Sequence, residues 1–366
     1  MSVHESPLRI LHVFGIMNCG GAETFIMNVY RNIDREKIQF DFIVHSEDKG
    51  YYDDEIKALG GRIYQVPKFS GRNFLNYVKS WKLFLEEHSE YRIIHSHIRS
   101  TASIFLRLAK KQGLKTIIHS HSTSSGTGFS AFVKDTLQLP LRYITDYRFA
   151  CSRAAGEWLF GNEKFDIINN AINSEKYIFN KDSRKLIRNT LGLNGKFVIG
   201  HIGRFNAPKN HIFILNVFKK IHELNPNSAL LLVGDGDLRE ELEKKIKELN
   251  LMNSVILTGI RNDIPELLHA MDVFLFPSLY EGLGIAVIEA QATGLPCIVS
   301  DTLPNEVLIT DLVKFISLKE SLDYWINEII ATKDAIRNNK FEEIIKSNYD
   351  IKDQVKLIKQ FYLKNL

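Results

Sequence analysis

At 366 residues, the chain is too long for one ordinary hydrophobic core and suits two domains. Hydrophobic residues at 45% and charged residues at 25% are those of a soluble globular protein, and a net charge of +4 gives no sign of the concentrated basic face that nucleic acid binding needs. Three scattered cysteines, Cys19, Cys151 and Cys297, with no CxxC spacing, read as reduced thiols rather than a disulfide framework or a zinc site.

The first residues, Met1-Ser-Val-His-Glu-Ser-Pro7, lack the basic and then apolar regions of a signal peptide. No apolar run approaches the roughly 20 residues of a spanning helix. A cytoplasmic protein is expected, lying at most on a membrane surface. Short β-branched or aromatic runs then alternate with helical patterns. Strands are expected at Ile10–Phe14, Phe40–His45, Arg62–Val66, Ile93–His95, Thr116–His119, Tyr147–Cys151 and Asp166–Asn169. A second series follows at Phe197–Ile202, Ala229–Val233, Val255–Leu257, Val273–Phe276, Cys297–Ser300 and Lys314–Ile316. Helices fit between them, among them Ala22–Arg31, Phe74–Glu87, Ile212–Glu223 and Leu238–Leu249. Strands apolar on both faces, alternating with helices, imply βαβ units in doubly wound parallel sheets. Two series imply two such α/β domains, residues 1–180 and 190–350, joined through the polar stretch between Asn173 and Lys196. The final segment, Ile351–Leu366, has apolar positions at helical spacing with no strand after it, and is expected to pack as a helix.

In such sheets ligands bind at the carboxyl ends of strands, and the unusual residues fall there. Gly20-Gly21 follows the first strand; a tight βα turn explains it, and so does close backbone approach to a ligand. His119 and His121 end a buried strand. As an i, i+2 pair they could ligate a metal, but no acid or cysteine cluster supports that; one facing a cleft could hydrogen-bond a substrate hydroxyl or position a leaving group, while at least one is expected to be structural. His95 and His97 are assigned to structure, as is the Asn169–Asn173 turn. Gly203-Arg204 through Lys209 lies between a strand and a helix, and two cations there suit a diphosphate. Alone, an ordinary salt bridge explains them equally well. Gly234-Asp-Gly-Asp237 imitates a metal or dinucleotide motif, but no G-x-G-x-x-G or Walker pattern is present. A turn with Asp237 as helix N-cap is favoured.

The most specific feature is Ser278-Leu-Tyr-Glu281-Gly-Leu-Gly-Ile-Ala-Val-Ile-Glu289. A strand, a glycine loop and a helix N-terminus make an anion site. Carboxylates on either side suit hydroxyls. An anion flanked by hydroxyl acceptors suggests a nucleotide sugar, which favours the diphosphate reading of Arg204 and Lys209.

With Gly20-Gly-Ala-Glu-Thr-Phe25, Ile94-His-Ser-His97, Phe149-Ala-Cys-Ser152, Ile167-Ile-Asn-Asn170, Gly203-Arg-Phe205, Lys209-Asn210, Val233-Gly-Asp-Gly236 and Phe276 through Glu289, the chain resembles glycosyltransferase family 4. Within it, the bacterial capsular and exopolysaccharide enzymes are most similar. The resemblance implies a GT-B fold: two Rossmann-like domains facing a cleft, the first for the acceptor and the second for the nucleotide sugar, with residues 351–366 crossing back to the first. It further implies that Arg204 and Lys209 grip the donor diphosphate, Glu289 the ribose and Glu281 the transferred sugar. Backbone at Gly282, Leu283, Gly284 and Ile285 would touch sugar and phosphate. Gly20, Gly21 and Gly203 would approach the diphosphate, and Gly259, Arg261 and Asn262 would hold the base. His119, or His121 in its place, would be the active-site histidine. Asn170-Ala171 and Leu283-Gly284 depart from the family's common residues.

These features lead to a retaining, metal-independent glycosyltransferase that uses a UDP-sugar, with no cofactor. No side chain stands out as a covalent nucleophile, so attack from the leaving-group face is expected. The acceptor implied by the resemblance is a glycan on a polyprenyl diphosphate, in capsule, exopolysaccharide or O-antigen synthesis. The mixed apolar and basic stretches Arg107–Lys115 and Phe132–Tyr143 could touch the inner face of the cytoplasmic membrane, although ordinary packing helices are favoured. The alternatives are a GT-B nucleotide-sugar epimerase and a non-catalytic sugar-nucleotide-binding partner subunit.

Overall fold

Strands rich in Ile, Val, Leu and Phe, most of them followed by a helix, assemble into two parallel sheets. The structure is a computed structural model and describes residues 6–126 and 128–365. Met1–Glu5 of the N-terminal stretch and Leu366 of the expected final helix lie outside them.

The first series runs β1 (Leu8–Phe14), α1 (Gly21–Asn32), β2 (Ile38–Val44), α2 (Asp53–Ala58), β3 (Ile63–Gln65), α3 (Phe74–Glu87), β4 (Ile93–Ser96), α4 (Ala102–Lys111), β5 (Lys115–Ser120), α5 (Phe129–Gln138), α6 (Leu141–Ile144), β6 (Tyr147–Ala150), α7 (Arg153–Phe160) and β7 (Asp166–Ile167). The second runs α8 (Lys181–Thr190), β8 (Phe197–Ile202), α9 (His211–Leu224), β9 (Ser228–Val233), α10 (Arg239–Glu248), β10 (Val255–Leu257), α11 (Ile264–Ala270), β11 (Val273–Phe276), α12 (Ile285–Ala292), β12 (Cys297–Ser300), β13 (Val313–Ile316), α13 (Leu322–Ile330) and α14 (Phe341–Lys346). A last helix, α15 (Ile351–Lys364), follows.

The sheets have the orders β3-β2-β1-β4-β5-β6-β7 and β10-β9-β8-β11-β12-β13. Each is doubly wound, reversing direction beside its first strand. The chain divides into two compact units, Met1–Ala171 with Ile351–Leu366, and Ile172–Asp350. The crossover thus falls at Ala171–Ile172, ahead of the 173–196 stretch expected to join the domains. That stretch belongs to the second unit because α8 is anchored there: Arg184 and Arg188 both reach Asp272, at 2.5 and 3.2 Å.

In the first unit α1 and α15 share one face of the sheet, where Phe25, Tyr30, Ile351, Val355, Ile358 and Tyr362 join the strand core. Lys359 ties α15 to Asp34 at 2.9 Å. In the second, Phe205, Phe218, Leu230, Leu275 and Trp325 belong to one core. Helix α4 packs through Phe105, Leu106 and Ala109; within 107–115 Ala109 and Leu114 are buried and the basic residues are exposed. The 132–143 stretch differs from the favoured expectation of a packing helix. On α5 only Ala131 and Gln138 are buried among the described residues, while Phe129, Phe132 and Tyr143 are 81%, 67% and 74% exposed. No helix among the described residues is long and apolar enough to cross a membrane.

Candidate functional site

In the second unit the sheet reverses between β8 and β11, which pair in parallel. Loops leaving two such strands diverge and open a crevice. The loop after β8 carries Arg204 and Lys209; the loop after β11 carries Glu281 and leads into α12. They are stitched together by Leu279 N–H donating to Pro208 O at 2.8 Å and Asn210 Nδ2 to Pro277 O at 3.1 Å. Asn210 has φ 57, a left-handed turn that asparagine tolerates, and it ends the 3-10 turn holding Lys209.

The Lys209 ammonium therefore lies 2.5 Å from Glu281 Oε1 and 4.7 Å from the centre of the Phe276 ring. Both partners are largely buried, at 18% and 14% side-chain exposure. A partly desolvated pair over an aromatic face is held more firmly than a surface ion pair. Its stem lies over Gly203, where a Cβ would come 3.2 Å from Lys209 Cδ. Arg204 is more open, 3.1 Å from Asp237 with 56% and 78% side-chain exposure. Such a pair is weak and yields readily to a stronger anion.

The Gly234-Asp-Gly-Asp237 loop supports Arg204. A Cβ on Gly234 would sit 2.1 Å from Gly203 O, and one on Gly236 would sit 2.5 Å from Phe205 O, so backbone packs on backbone. Phe205 N–H donates to Asp235 O at 2.9 Å. The expected N-cap role of Asp237 is corrected: α10 starts at Arg239, with Leu238 as N-cap and no side-chain cap. Asp237 turns to Arg204 instead. Gly259 accepts from Gly234 N–H at 3.0 Å, which brings the 259–262 loop beside β9. There Arg261 pairs with Asp263 at 2.5 Å, and Asn262 is exposed.

Gly284 is the N-cap of α12 at φ 94, ψ 55, a region costly for any other residue except asparagine or aspartate. Leu283 is 2% exposed, so its side chain packs inside and does not line the site. Every residue of α12 from Ala286 to Ala292 is buried. Glu289 lies among them at 7% exposure. Burial pushes its carboxyl up to about 7, opposed by the Tyr177 hydroxyl, which donates to Oε1 at 2.6 Å. Tyr177 comes from the 3-10 turn Ser174–Tyr177. Nothing in its sequence neighbourhood distinguishes it, and only the fold brings it to Glu289.

In the first unit, His119 and His121 belong to a larger group. Period two puts His95 and His97 on one sheet face, and likewise His119 and His121. His12 pairs with His95 in register and joins them. Alternation along β1 was the signal that could have included His12. His12 Nδ1 and His97 Nε2 are 3.1 Å apart, His97 Nδ1 and His121 Nε2 2.9 Å, and His95 Nδ1 is 2.7 Å from Tyr362 Oη. The His119 and His121 rings stack at 4.0 Å. Burial pushes His12 and His121 down to about 3 and His95, His97 and His119 well below the usual imidazole range. All five are neutral near pH 7. Two trios, His12–His95–His97 and His97–His119–His121, bring ring nitrogens within 4.8 Å. Two nitrogens on one tetrahedral zinc stand about 3.3 Å apart; the separations along His12–His97–His121 are those of hydrogen bonds. His119 is 0% exposed, whereas His121 is partly exposed. Gly20 caps α1 without a side chain, and Gly21 is exposed.

Two family descriptions match the chain: "Glycosyltransferase Family 4" over residues 19–176 and "Glycosyl transferases group 1" over residues 183–346. The chain is 35% identical, over an alignment 376 positions long, to EpsF of Bacillus subtilis (strain 168), a protein named as a glycosyltransferase, covering 98% of this chain and 97% of that protein. It is 27% identical to the UDP-Gal:alpha-D-GlcNAc-diphosphoundecaprenol alpha-1,3-galactosyltransferase of Escherichia coli, covering 99% and 98%. The fold is similar to Anabaena Alr3699/HepE solved with UDP and glucose, at a TM-score of 0.80, 19% identity and coverage of 98% and 100%.

Proposed function

We propose, from the premise that the chain belongs to glycosyltransferase family 4 and is a glycosyltransferase of the GT-B fold, that it moves a sugar with retention from a UDP-sugar to a glycan on a polyprenyl diphosphate. The pathway would be synthesis of a capsule, exopolysaccharide or O-antigen. The observation that carries the donor assignment is the Lys209–Glu281 pair at the reversal of the second sheet, 2.5 Å apart, beside the glycine-capped start of α12. The relative that acts on a diphosphoundecaprenol acceptor supports the acceptor class.

Lys209, Arg204 and the first amides of α12 take the diphosphate. Their positive charge stabilises the negative charge that grows as the bond from C1 to the phosphate oxygen breaks. These fixed cations do the work that a divalent ion does elsewhere, so no metal is needed. Glu281 orients the sugar through a hydroxyl, and Glu289 accepts from the ribose. The acceptor oxygen bonds to C1 on the face the diphosphate leaves, and its proton passes to the departing phosphate oxygen. On the first unit, His121, less buried as a residue than His119, is the candidate to meet the acceptor. Exposed Phe129, Phe132 and Tyr143, with Lys82, Arg107, Lys110 and Lys111 along the neighbouring groove, suit contact with anionic lipid.

UDP release measured with and without acceptor tests this reading. Release should depend on acceptor and continue in EDTA. Acceptor-independent turnover of the donor would point to an epimerase, and no turnover with any acceptor to a binding subunit. Proton NMR of the first-formed product gives the anomer, and inversion would overturn the retaining mechanism.

A further inference from the structure

We infer that Tyr177 is a positioning residue for the donor: its hydroxyl holds Glu289 in the orientation and charge state that receive the nucleotide's ribose. The inference rests on the reading of Glu289 given above. The turn that carries Tyr177 is clamped on both sides. Ile172 N–H donates to Tyr349 O at 2.9 Å, the Ser174 hydroxyl bonds the Asp350 carboxylate, and Phe179 N–H donates to Asn339 Oδ1 at 2.6 Å. Phe179 also lies under Arg337, 4.4 Å from ring centre to guanidinium. Tyr177 itself is 8% exposed. Its phenol is therefore placed in advance, and its 2.6 Å contact with Glu289 Oε1 does not depend on a swinging side chain.

Glu289 sits in a helix whose neighbouring residues are all buried, an environment that favours the neutral carboxyl. A neutral carboxyl has a proton to donate and one fewer lone pair to offer, so it is a poorer partner for two ribose hydroxyls than a carboxylate. A phenol O–H donating to Oε1 favours the ionised form. It also fixes the plane of the carboxylate and leaves Oε2 as the oxygen open to a second donor. The position thus uses a residue outside the expected donor contacts to enlarge the ionised share of the ribose acid near neutral pH.

The test is UDP affinity by calorimetry from pH 6 to 9 for wild type, Tyr177→Phe and Glu289→Gln. Comparison at each pH cancels the titration of UDP itself. Wild-type affinity should fall as pH drops through about 7, where Glu289 takes a proton. Tyr177→Phe should move that fall upward by about one pH unit, a loss of roughly fivefold at pH 7 that approaches about tenfold at pH 6 and vanishes towards pH 9. A pH-independent loss, or none, would overturn the inference. If Glu289→Gln leaves UDP affinity unchanged, the ribose role fails as well; if it weakens binding while Tyr177→Phe tracks wild type, only the positioning role fails. Stability gives a second readout. Without its donor the buried carboxylate is unsupported, so the melting temperature of Tyr177→Phe should recover relative to wild type between pH 8 and pH 6. An equal deficit at both pH values, or failure to fold at both, would count against it.

Discussion

The two acids of the β11–α12 element behave differently because of their surroundings. Glu281 is neutralised by Lys209 at 2.5 Å, so a donor phosphate arriving near Lys209 must share that cation with a carboxylate already in place. Among the described residues no cation pairs with Glu289, and a phenol donates to it. Its carboxyl, raised to about 7, stands above its unfolded value near 4.3. The folded state therefore binds its proton more tightly than the unfolded state. Stability from this group is present below about pH 4 and lost as pH rises through about 7. Glu289→Gln mimics the protonated form and should escape that loss. The variant should be more stable than wild type by roughly 2–4 kcal/mol at pH 8, with the gap closing below pH 5. Paired thermal melts across pH check this, and a constant difference would refute the assignment. UDP affinity should move in the opposite direction, falling in the variant that gains stability.

At the level of elements, the glycine at the start of α12 sets the direction of the helix. Gly284→Ala would place a side chain at φ 94, and its Cβ would meet Leu303 Cδ2 at 3.3 Å. A loss of about 1–2 kcal/mol and weaker UDP binding should follow, read by chemical denaturation and calorimetry. Wild-type UDP affinity in that variant would show that the α12 amides do not touch the diphosphate. The thirteen strands of the two sheets among the described residues were legible in the sequence because they are short, largely apolar or aromatic runs alternating with longer helical patterns. The loops were legible as loops, but not in their contacts. Asp237 was expected to cap α10, since an aspartate before a helical run usually does. Backbone contact of Gly234 and Gly236 with the 203–205 loop carries it to Arg204 instead. Tyr177 and His12 escaped notice for a related reason. Tyr177 reaches Glu289 across a separation of 112 residues that local pattern does not encode, and alternation puts His12 on a sheet face without giving the register that sets it beside His95.

Across the whole molecule, buried neutral histidines are shared unequally. Burial lowers His12, His45, His95, His97, His119 and His121 in the first unit. In the second unit it lowers His201, His211 and His269. A depressed value means that unfolding takes up a proton below about pH 6.5, so stability present above that pH is lost on acidification, by roughly 1.4 kcal/mol per pH unit for each group. The first unit should open first as pH falls from 6.5 to 4.5. Hydrogen exchange with mass spectrometry resolves the two, and earlier loss of protection in residues 172–350 would contradict it. The split of the first unit into Met1–Ala171 and Ile351–Leu366 has a bearing on how the protein is made. Ile351, Val355, Ile358 and Tyr362 complete a core whose strands are translated much earlier. Each such side chain contributes roughly 1.5–3 kcal/mol when buried, so a chain still on the ribosome lacks a large part of what closes that core. The second unit is contiguous and can fold as it emerges, reversing the usual order in which N-terminal domains fold first. Until α15 arrives, the apolar face it will cover, with His95 beneath Tyr362, is open to chaperones and to other nascent chains.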